Sequence, residues 1–213
     1  MPRKPTTHVH ETTEETRHRI LSAAHELFMD KGYRAVGTRE VAEKCGISQP
    51  TLYYHFKNKD ELYVAVALAI LKRMKDALEQ IAVQDSPSTQ DKLVAAAIYL
   101  LRITRHDMNI ASMLHDIAHE LEVGSQNQIE EAFFASMVQP LMVILQQGIA
   151  QKVISAPTPE SLSLISMVFL FLNMISTFSD QINELDRHKY DSHLSEKELA
   201  VRLVKFYLYG VSS

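Results

Sequence analysis

Between Gly37 and Leu62 the chain gathers side chains able to read or hold a polyanion: Thr38, Arg39, Ser48, Gln49, Pro50, Thr51, Tyr53, Tyr54, His55 and Lys59. A glutamine amide offers both a donor and an acceptor to the edge of an adenine or another base, and a proline ring packs against a thymine methyl. Hydroxyl, imidazole and ammonium groups suit phosphate oxygens. That chemistry needs a rigid element that fits a groove and presents these groups together.

Two short helices around a glycine turn supply such an element. Thr38 is the expected N-cap of a helix from Arg39 to Cys45, closed by Gly46. Ser48 then caps Gln49 to His55, where Pro50 is tolerated because first-turn N–H groups have no intrahelical partner. Leu52 and Phe56 lie four apart and, with Val41, Ala42 and Ile47, can form an inner core. Gln49 and Tyr53 then fall on one outer stripe, with Pro50 and Tyr54 beside it. Upstream, Thr12 and Glu15 fit a capping box that opens a longer helix. Ile20, Ala24, Leu27 and Phe28 share one of its faces, and Gly32 is its expected stop. Asn58 with Glu61 opens the next helix, which reaches to about Ala82. The arrangement is a helix-turn-helix suited to the major groove of DNA.

Net charge tests this reading. The chain carries −4 overall, which disfavours a polyanion partner until it is divided. From Met1 to Lys59 ten Lys/Arg stand against seven acids, leaving the remainder at −7. A basic head on an acidic body concentrates phosphate attraction on one surface.

The remaining sequence is helical in pattern, with expected helices near 89–105, 107–120, 126–152, 159–182 and 195–210. Six Gly and seven Pro in 213 residues are too few for a loop-rich β protein. The fold class is therefore all-α. A basic arm (1–11) precedes a three-helix DNA-binding domain (12–62) and a helical ligand-sensing and dimerisation domain (63–213). Met108, Met113, His115, Phe133, Phe134, Met137, Met142, Phe169 and Met174 are candidates for the walls of a cavity suited to an apolar or amphipathic molecule. Leu162, Ile165, Phe169, Leu172 and Ser176, with Leu199, Leu203 and Phe206, form apolar stripes on the last two helices. They are candidates for a homodimer interface, because one helix-turn-helix makes too few base contacts for a unique address.

The ordered set Gly32-Tyr33, Gly37-Thr38-Arg39-Glu40-Val41-Ala42, Gly46-Ile47-Ser48 and Thr51-Leu52-Tyr53-Tyr54-His55-Phe56-Lys57-Asn58-Lys59-Asp60-Glu61-Leu62 resembles the signature of the TetR family of transcriptional regulators. Arg19-Ile20-Leu21, Ala23-Ala24 and Leu27-Phe28 fit the same family's first helix. The resemblance implies Thr38, Arg39, Thr51, Tyr53, Tyr54, His55 and Lys59 as backbone contacts, with Gln49 and Pro50 as base readers. It also implies that the last two helices pair with their symmetry mates as a four-helix bundle. The expected function is a ligand-responsive regulator, a repressor by family expectation, on an inverted-repeat operator. A constitutive DNA-binding or protein-interaction module without a ligand is the alternative.

Other chemistry is poorly represented. His115 and His119 are spaced i, i+4, beside Asp116 and Glu120 and downstream of His106, but no third metal ligand is fixed, so no metal is expected. No nucleophile or base constellation points to an enzyme, and no cofactor is implied. Cys45, the single cysteine, excludes an intrachain disulfide and reads as a turn filler. The polar start of the chain lacks a signal pattern, and the apolar run Leu164–Ile175 is shorter than the roughly 20 residues of a membrane span. A soluble cytoplasmic protein is expected.

Overall fold

A computed structural model describes residues 12–84, 88–106, 116–117, 119–159, 161–188 and 195–210. The expected arm, 1–11, lies outside them. The elements are α1 (Thr13–Ala35), α2 (Thr38–Cys45), α3 (Gln49–His55), α4 (Lys59–Val83), α5 (Thr89–His106), α6 (Val123–Phe133), a π turn (Phe134–Val138), α7 (Gln139–Ala150), α8 (Leu164–His188) and α9 (Glu196–Tyr209). The protein is all-helical, and no strand occurs among the described residues. It divides into two compact units, Met1–Val66 and Ala67–Ser213.

Local chemistry accounts for the boundaries. Thr12 and Glu15 form the complete capping box, and the exposed Glu15 carboxyl is held below its ordinary range by the Thr12 backbone and hydroxyl bonds. The helical path breaks at Gly32 (φ 77°, ψ 165°) before one further turn reaches Ala35. The N-cap of α2 is Gly37 rather than Thr38, and it supplies no side-chain bond. Thr38 is instead the first helical residue, and its hydroxyl is hydrogen-bonded to the Tyr53 hydroxyl at 3.0 Å. Gly46 closes α2 in the left-handed conformation (φ 68°), its N–H bonding back to the Ala42 and Glu43 carbonyls. Helix α8 begins at Leu164, five residues later than expected, because Ser163 accepts from the Ser166 N–H and caps it there.

In the first unit Ile20, Ala24, Leu27 and Phe28 of α1 meet Val41, Ala42 and Cys45 of α2 and Leu52 of α3, all buried. Ile47 is only half-buried. Tyr63 packs edge-on against Phe28 and Tyr33, with centroids at 4.9 and 5.0 Å. Burial pushes the Cys45 thiol above its usual range, the reverse of what a reactive thiolate needs.

In the second unit α5 is central and packs against α7, α8 and α9. The span Val123–Ala150 is long and apolar enough to cross a membrane by length and composition. Its Val138, Leu141, Ile144 and Leu145 are nevertheless at most 1% exposed, which makes it a core helix. Pro140 explains its π turn: proline lacks the N–H that would bond four residues back and its ring crowds that carbonyl. The Gln139 N–H reaches the Phe134 carbonyl, five residues back.

A polar joint ties the end of α4 to its neighbours. The buried Lys92 ammonium donates to the Ala82 carbonyl (2.8 Å) and the Gln147 amide oxygen (2.9 Å), and the Gln147 amide N–H also donates to Ala82 (3.2 Å). The Thr89 hydroxyl donates to Gln151 (2.8 Å). Close approach here depends on Gly148. A Cβ at that position would stand 2.8 Å from both Ile154 Cδ1 and Thr89 Cγ2.

Two outcomes follow. Gly148→Ala gains up to about 1 kcal/mol of helix propensity but overpacks the joint by about 1–3 kcal/mol, so the melting temperature falls, whereas Gly124→Ala, facing open space, does not lower it. Cys45 in the native protein reacts with a thiol reagent at pH 8 far more slowly than in the unfolded chain; equal rates would contradict its buried, raised-pKa environment.

Candidate nucleic-acid interface and effector cavity

Helix α3 presents its outer face without an acidic residue. Ser48 caps it by accepting the Thr51 N–H at 3.2 Å, and the Ser48 and Thr51 hydroxyls are bonded at 2.8 Å. Inside, Leu52 is fully buried and Phe56 is 1% exposed, which fixes the helix rotation. Outside, Gln49 and Pro50 are exposed, Tyr53 is 46% exposed and Tyr54 is 78% exposed. Two exposed tyrosines beside a glutamine are a costly surface for a protein with no partner there. The Thr38–Tyr53 bond joins the start of α2 to this face. Arg39 stands exposed next to it and shares its guanidinium with Glu43 at 2.9 Å.

The start of α4 supplies a second cluster. Asn58 accepts the Glu61 N–H (2.8 Å) and Glu61 accepts the Lys57 N–H (2.8 Å), so this cap is built from both sides. The Lys59 ammonium lies 4.1 Å from the Tyr33 ring centroid and 3.5 Å from the Arg34 carbonyl, while the Tyr33 hydroxyl is bonded to Asp60. Lys59 is thus a positioned cation at a helix N-terminus. His55 is half-buried and stacks edge-on with Tyr54 at 5.3 Å.

Charge placement differs from the sequence expectation. Over 12–62 there are eight Lys/Arg and eight Asp/Glu, so the basic excess counted to Lys59 comes from the arm and from where that count stops. Position decides instead. Glu40 pairs with Lys31, Glu43 with Arg39 and Glu26 with Lys44, and the Lys44 hydrogen bond holds the Glu26 carboxyl below its ordinary range. Those acids are compensated, and α3 adds none.

The second unit contains a cavity of about 590 Å³. Its wall includes Leu100 and Thr104 of α5, Ile117, and Gln126, Ile129, Glu130 and Phe133 of α6. Phe134 and Met137 of the π turn and Phe169, Leu172, Asn173, Ile175 and Ser176 of α8 complete it. Four expected wall residues, Phe133, Phe134, Met137 and Phe169, are therefore brought together. Met174 is not; it is half-buried on another side of α8, as is Met142 on α7. Met108, Met113 and His115 lie outside the described residues. The missed wall residues on α6 and α8 mostly follow the periodicity of those found there, whereas Leu100, Thr104 and Ile117 lie on other segments and carry no such signal. Gln126, Ile129 and Glu130 precede Phe133 at helical spacing, and Leu172, Asn173 and Ser176 follow Phe169. Extending the register from either phenylalanine finds them.

The expected interface residues divide into two groups. Leu162, Ile165, Phe169 and Phe206 are 53%, 42%, 41% and 49% exposed. Leu199 and Leu203 are instead buried within the protomer, because the core face of α9 runs through Leu199, Ala200, Leu203 and Val204. Leu172 and Ser176 turn to the cavity.

Known proteins share this architecture. The family model "Bacterial regulatory proteins, tetR family" matches residues 20–66. The HTH-type transcriptional activator FasR of Mycolicibacterium smegmatis is 32% identical over 118 residues, 54% of this chain and 53% of that protein. The class D tetracycline repressor protein of Escherichia coli is 47% identical over 60 residues, 28% of each chain. The chain thus spans about half the length of the first relative and less of the second. A crystal structure of the regulator FadR from Bacillus subtilis, in complex with stearoyl-CoA, has the same fold, with a TM-score of 0.72 over 91% of this chain and 98% of that one at 18% identity. Residues 20–66 thus form a helix-turn-helix domain of the TetR family.

Proposed function

We propose that the chain is a homodimeric, effector-responsive regulator, acting as a repressor, that binds an inverted-repeat operator and leaves it when a small amphipathic molecule enters the second unit. One observation carries the reading: a capped, acid-free α3 with Gln49, Pro50, Tyr53 and Tyr54 exposed stands in the same chain as an apolar cavity of about 590 Å³. The first feature suits a duplex and the second suits a small molecule.

On DNA, Gln49 and Pro50 read base edges in the major groove. Thr38, Arg39, Ser48, Thr51, Tyr53, Tyr54, His55 and Lys59 hold the phosphates that fix their register. Two α3 helices of a dimer must lie about 34–36 Å apart to reach successive grooves on one side of the duplex. Effector binding releases DNA only to the extent that it favours a dimer with a different spacing. Helix α4, which begins at the Lys59 cluster and ends at the Lys92–Gln147 joint, is the element that passes the change on. The cavity wall, mostly aliphatic and aromatic with a few amides and one carboxylate, favours a molecule with a long apolar part, and the acyl-CoA bound by the B. subtilis neighbour supports screening acyl compounds first.

Selection of bound sequences from random DNA should return an inverted repeat. Lys59→Ala should weaken binding to every sequence alike and flatten the salt dependence by about one unit of slope. Gln49→Ala should instead relax one position in each half-site, at about 1–3 kcal/mol; equal losses on operator and random DNA would refute base reading. Stearoyl-CoA and shorter acyl compounds should raise the melting temperature and lower operator affinity. If none of a wide panel does either, the effector half of the proposal fails while the DNA half stands.

A further inference from the structure

The polar groups of the cavity wall are few, and their hydrogen-bond donors are largely committed to the chain's own backbone. Thr104 donates its hydroxyl to the Leu100 carbonyl one turn back in α5 (2.8 Å), and a threonine side chain has no second donor. Asn173 ties its amide nitrogen to the Phe169 carbonyl in α8 (2.8 Å). Gln126 does the same with the Leu121 carbonyl just ahead of α6 (2.8 Å). Thr104 therefore keeps only lone pairs for a bound molecule. Asn173, anchored by its nitrogen, turns its oxygen end away from the backbone carbonyl that holds it. Ser176, the remaining hydroxyl, can donate or accept. The wall is biased toward acceptors.

Charge has the same bias. Glu130 of α6 is the one ionised group among the described residues of the wall, which include no Lys, Arg or His. It is exposed at the cavity's edge, and no cation among the described residues pairs with it. Away from that edge Leu100, Ile117, Ile129 and Ile175 are buried and wholly apolar. Such a site asks one molecule for an apolar body and a head that donates hydrogen bonds. An anionic head fits it badly. It sets acceptors against acceptors, gives up its bonds to water without replacement, and lies near a like charge. A protonated amine brings N–H donors and the opposite charge together.

We propose that the cavity selects a lipophilic primary or secondary ammonium over a molecule of the same apolar body with an anionic head. The inference rests on the effector-responsive reading above and names the chemical class of the effector. An alkyl or acyl chain suits the apolar wall whatever head it carries, so the head sets the rank among chains of equal length. Magnitudes decide which feature of the head matters. An exposed ion pair such as one with Glu130 adds at most about fivefold in affinity. A hydrogen bond to a half-buried oxygen such as that of Thr104 adds roughly two- to tenfold. Charge alone therefore gives a weak preference, and charge with an N–H gives a strong one. Alkylamines, like lysine with its pKa of about 10.4, carry both at neutral pH.

Titration calorimetry of the full-length chain with decylammonium, decyltrimethylammonium and decanoate, each below its micelle concentration, tests the ranking. Decylammonium should bind about tenfold more tightly than decanoate. It should also bind about threefold more tightly than decyltrimethylammonium, which carries the charge without an N–H. Glu130 is exposed, so its variants keep the fold, and Glu130→Lys should reverse the order of decylammonium and decanoate. Thr104→Val should weaken decylammonium about threefold and leave decyltrimethylammonium unchanged. Decanoate that binds as tightly as decylammonium, or an order that Glu130→Lys leaves untouched, would overturn the inference. Equal affinity for the two cations would overturn the need for a donor. If decanoate wins and also lowers operator affinity, the effector-responsive reading survives and only this one falls. If none of the three binds and stearoyl-CoA is equally inert, both fall.

Discussion

A buried ammonium group fixes the geometry of the second unit. Lys92 is 8% exposed and its observed acceptors are the Ala82 carbonyl and the Gln147 amide oxygen. Removing a cation from water costs several kcal/mol unless its hydrogen bonds are replaced, so its partners are held tightly in place. One of those acceptors lies in the last turn of α4, where carbonyls lack intrahelical donors and the helix dipole favours a positive charge. A lysine reaching from α5 therefore satisfies the helix end, while Gln147 from α7 binds the same carbonyl. Three helices converge on one oxygen atom. Beside Gln147, Gly148 leaves room for Ile154 Cδ1 and Thr89 Cγ2, each of which a Cβ there would meet at 2.8 Å.

This joint connects to the cavity through a single run of chain. Helix α7 continues backward through the π turn into α6, and Phe133, Phe134 and Met137 of that run line the cavity. The π turn arises because Pro140 cannot complete the α-helical ladder, and the extra residue it accommodates changes which side chains face inward. Ahead of it, Ile129 and Phe133 meet the cavity; after it, Leu141, Ile144 and Leu145 meet the core. The cavity wall and Gln147 thus lie on one continuous run of helix. The physical connection is a helix with one weak turn between two packed segments.

Much of the amino-terminal unit was legible in the sequence because its determinants are local. Thr12 with Glu15, Ser48 with Thr51, Asn58 with Glu61 and Gly46 each set a helix end within four residues, and the observed bonds are those that spacing implies. Thr38 misled for the same local reason: threonine is a good cap, but its hydroxyl is committed to Tyr53, fifteen residues away, and Gly37 takes the cap position. In the second unit the fold class was readable from periodicity, while the assignment of faces was not. Leu199 and Leu203 share a stripe that could face a partner or the protomer, and only the packing of α9 against α5 turns it inward. Gly148, Lys92 and Gln147 carry no local signal, since each matters only through a contact more than fifty residues away or with another helix. The π turn shows only as Pro140 inside an apolar helical run, a pattern that equally fits a kink.

The exposed faces follow a consistent physical logic. A folded chain tolerates scattered apolar residues on its surface, but contiguous ones mark a place where water is meant to leave. Here they occur in two places that differ in polarity. On α3, Tyr53 and Tyr54 combine an apolar ring with a hydroxyl, beside Gln49, suiting a partner with both base edges and phosphates. On α8, Ile165, Phe169 and Leu170 have only Ser166, Asn173 and Thr177 among them, and Asn173 spends its amide donor on the Phe169 carbonyl. A surface whose polar groups are few and already bonded has little to offer nucleic acid or a charged ligand. What it fits is another apolar surface.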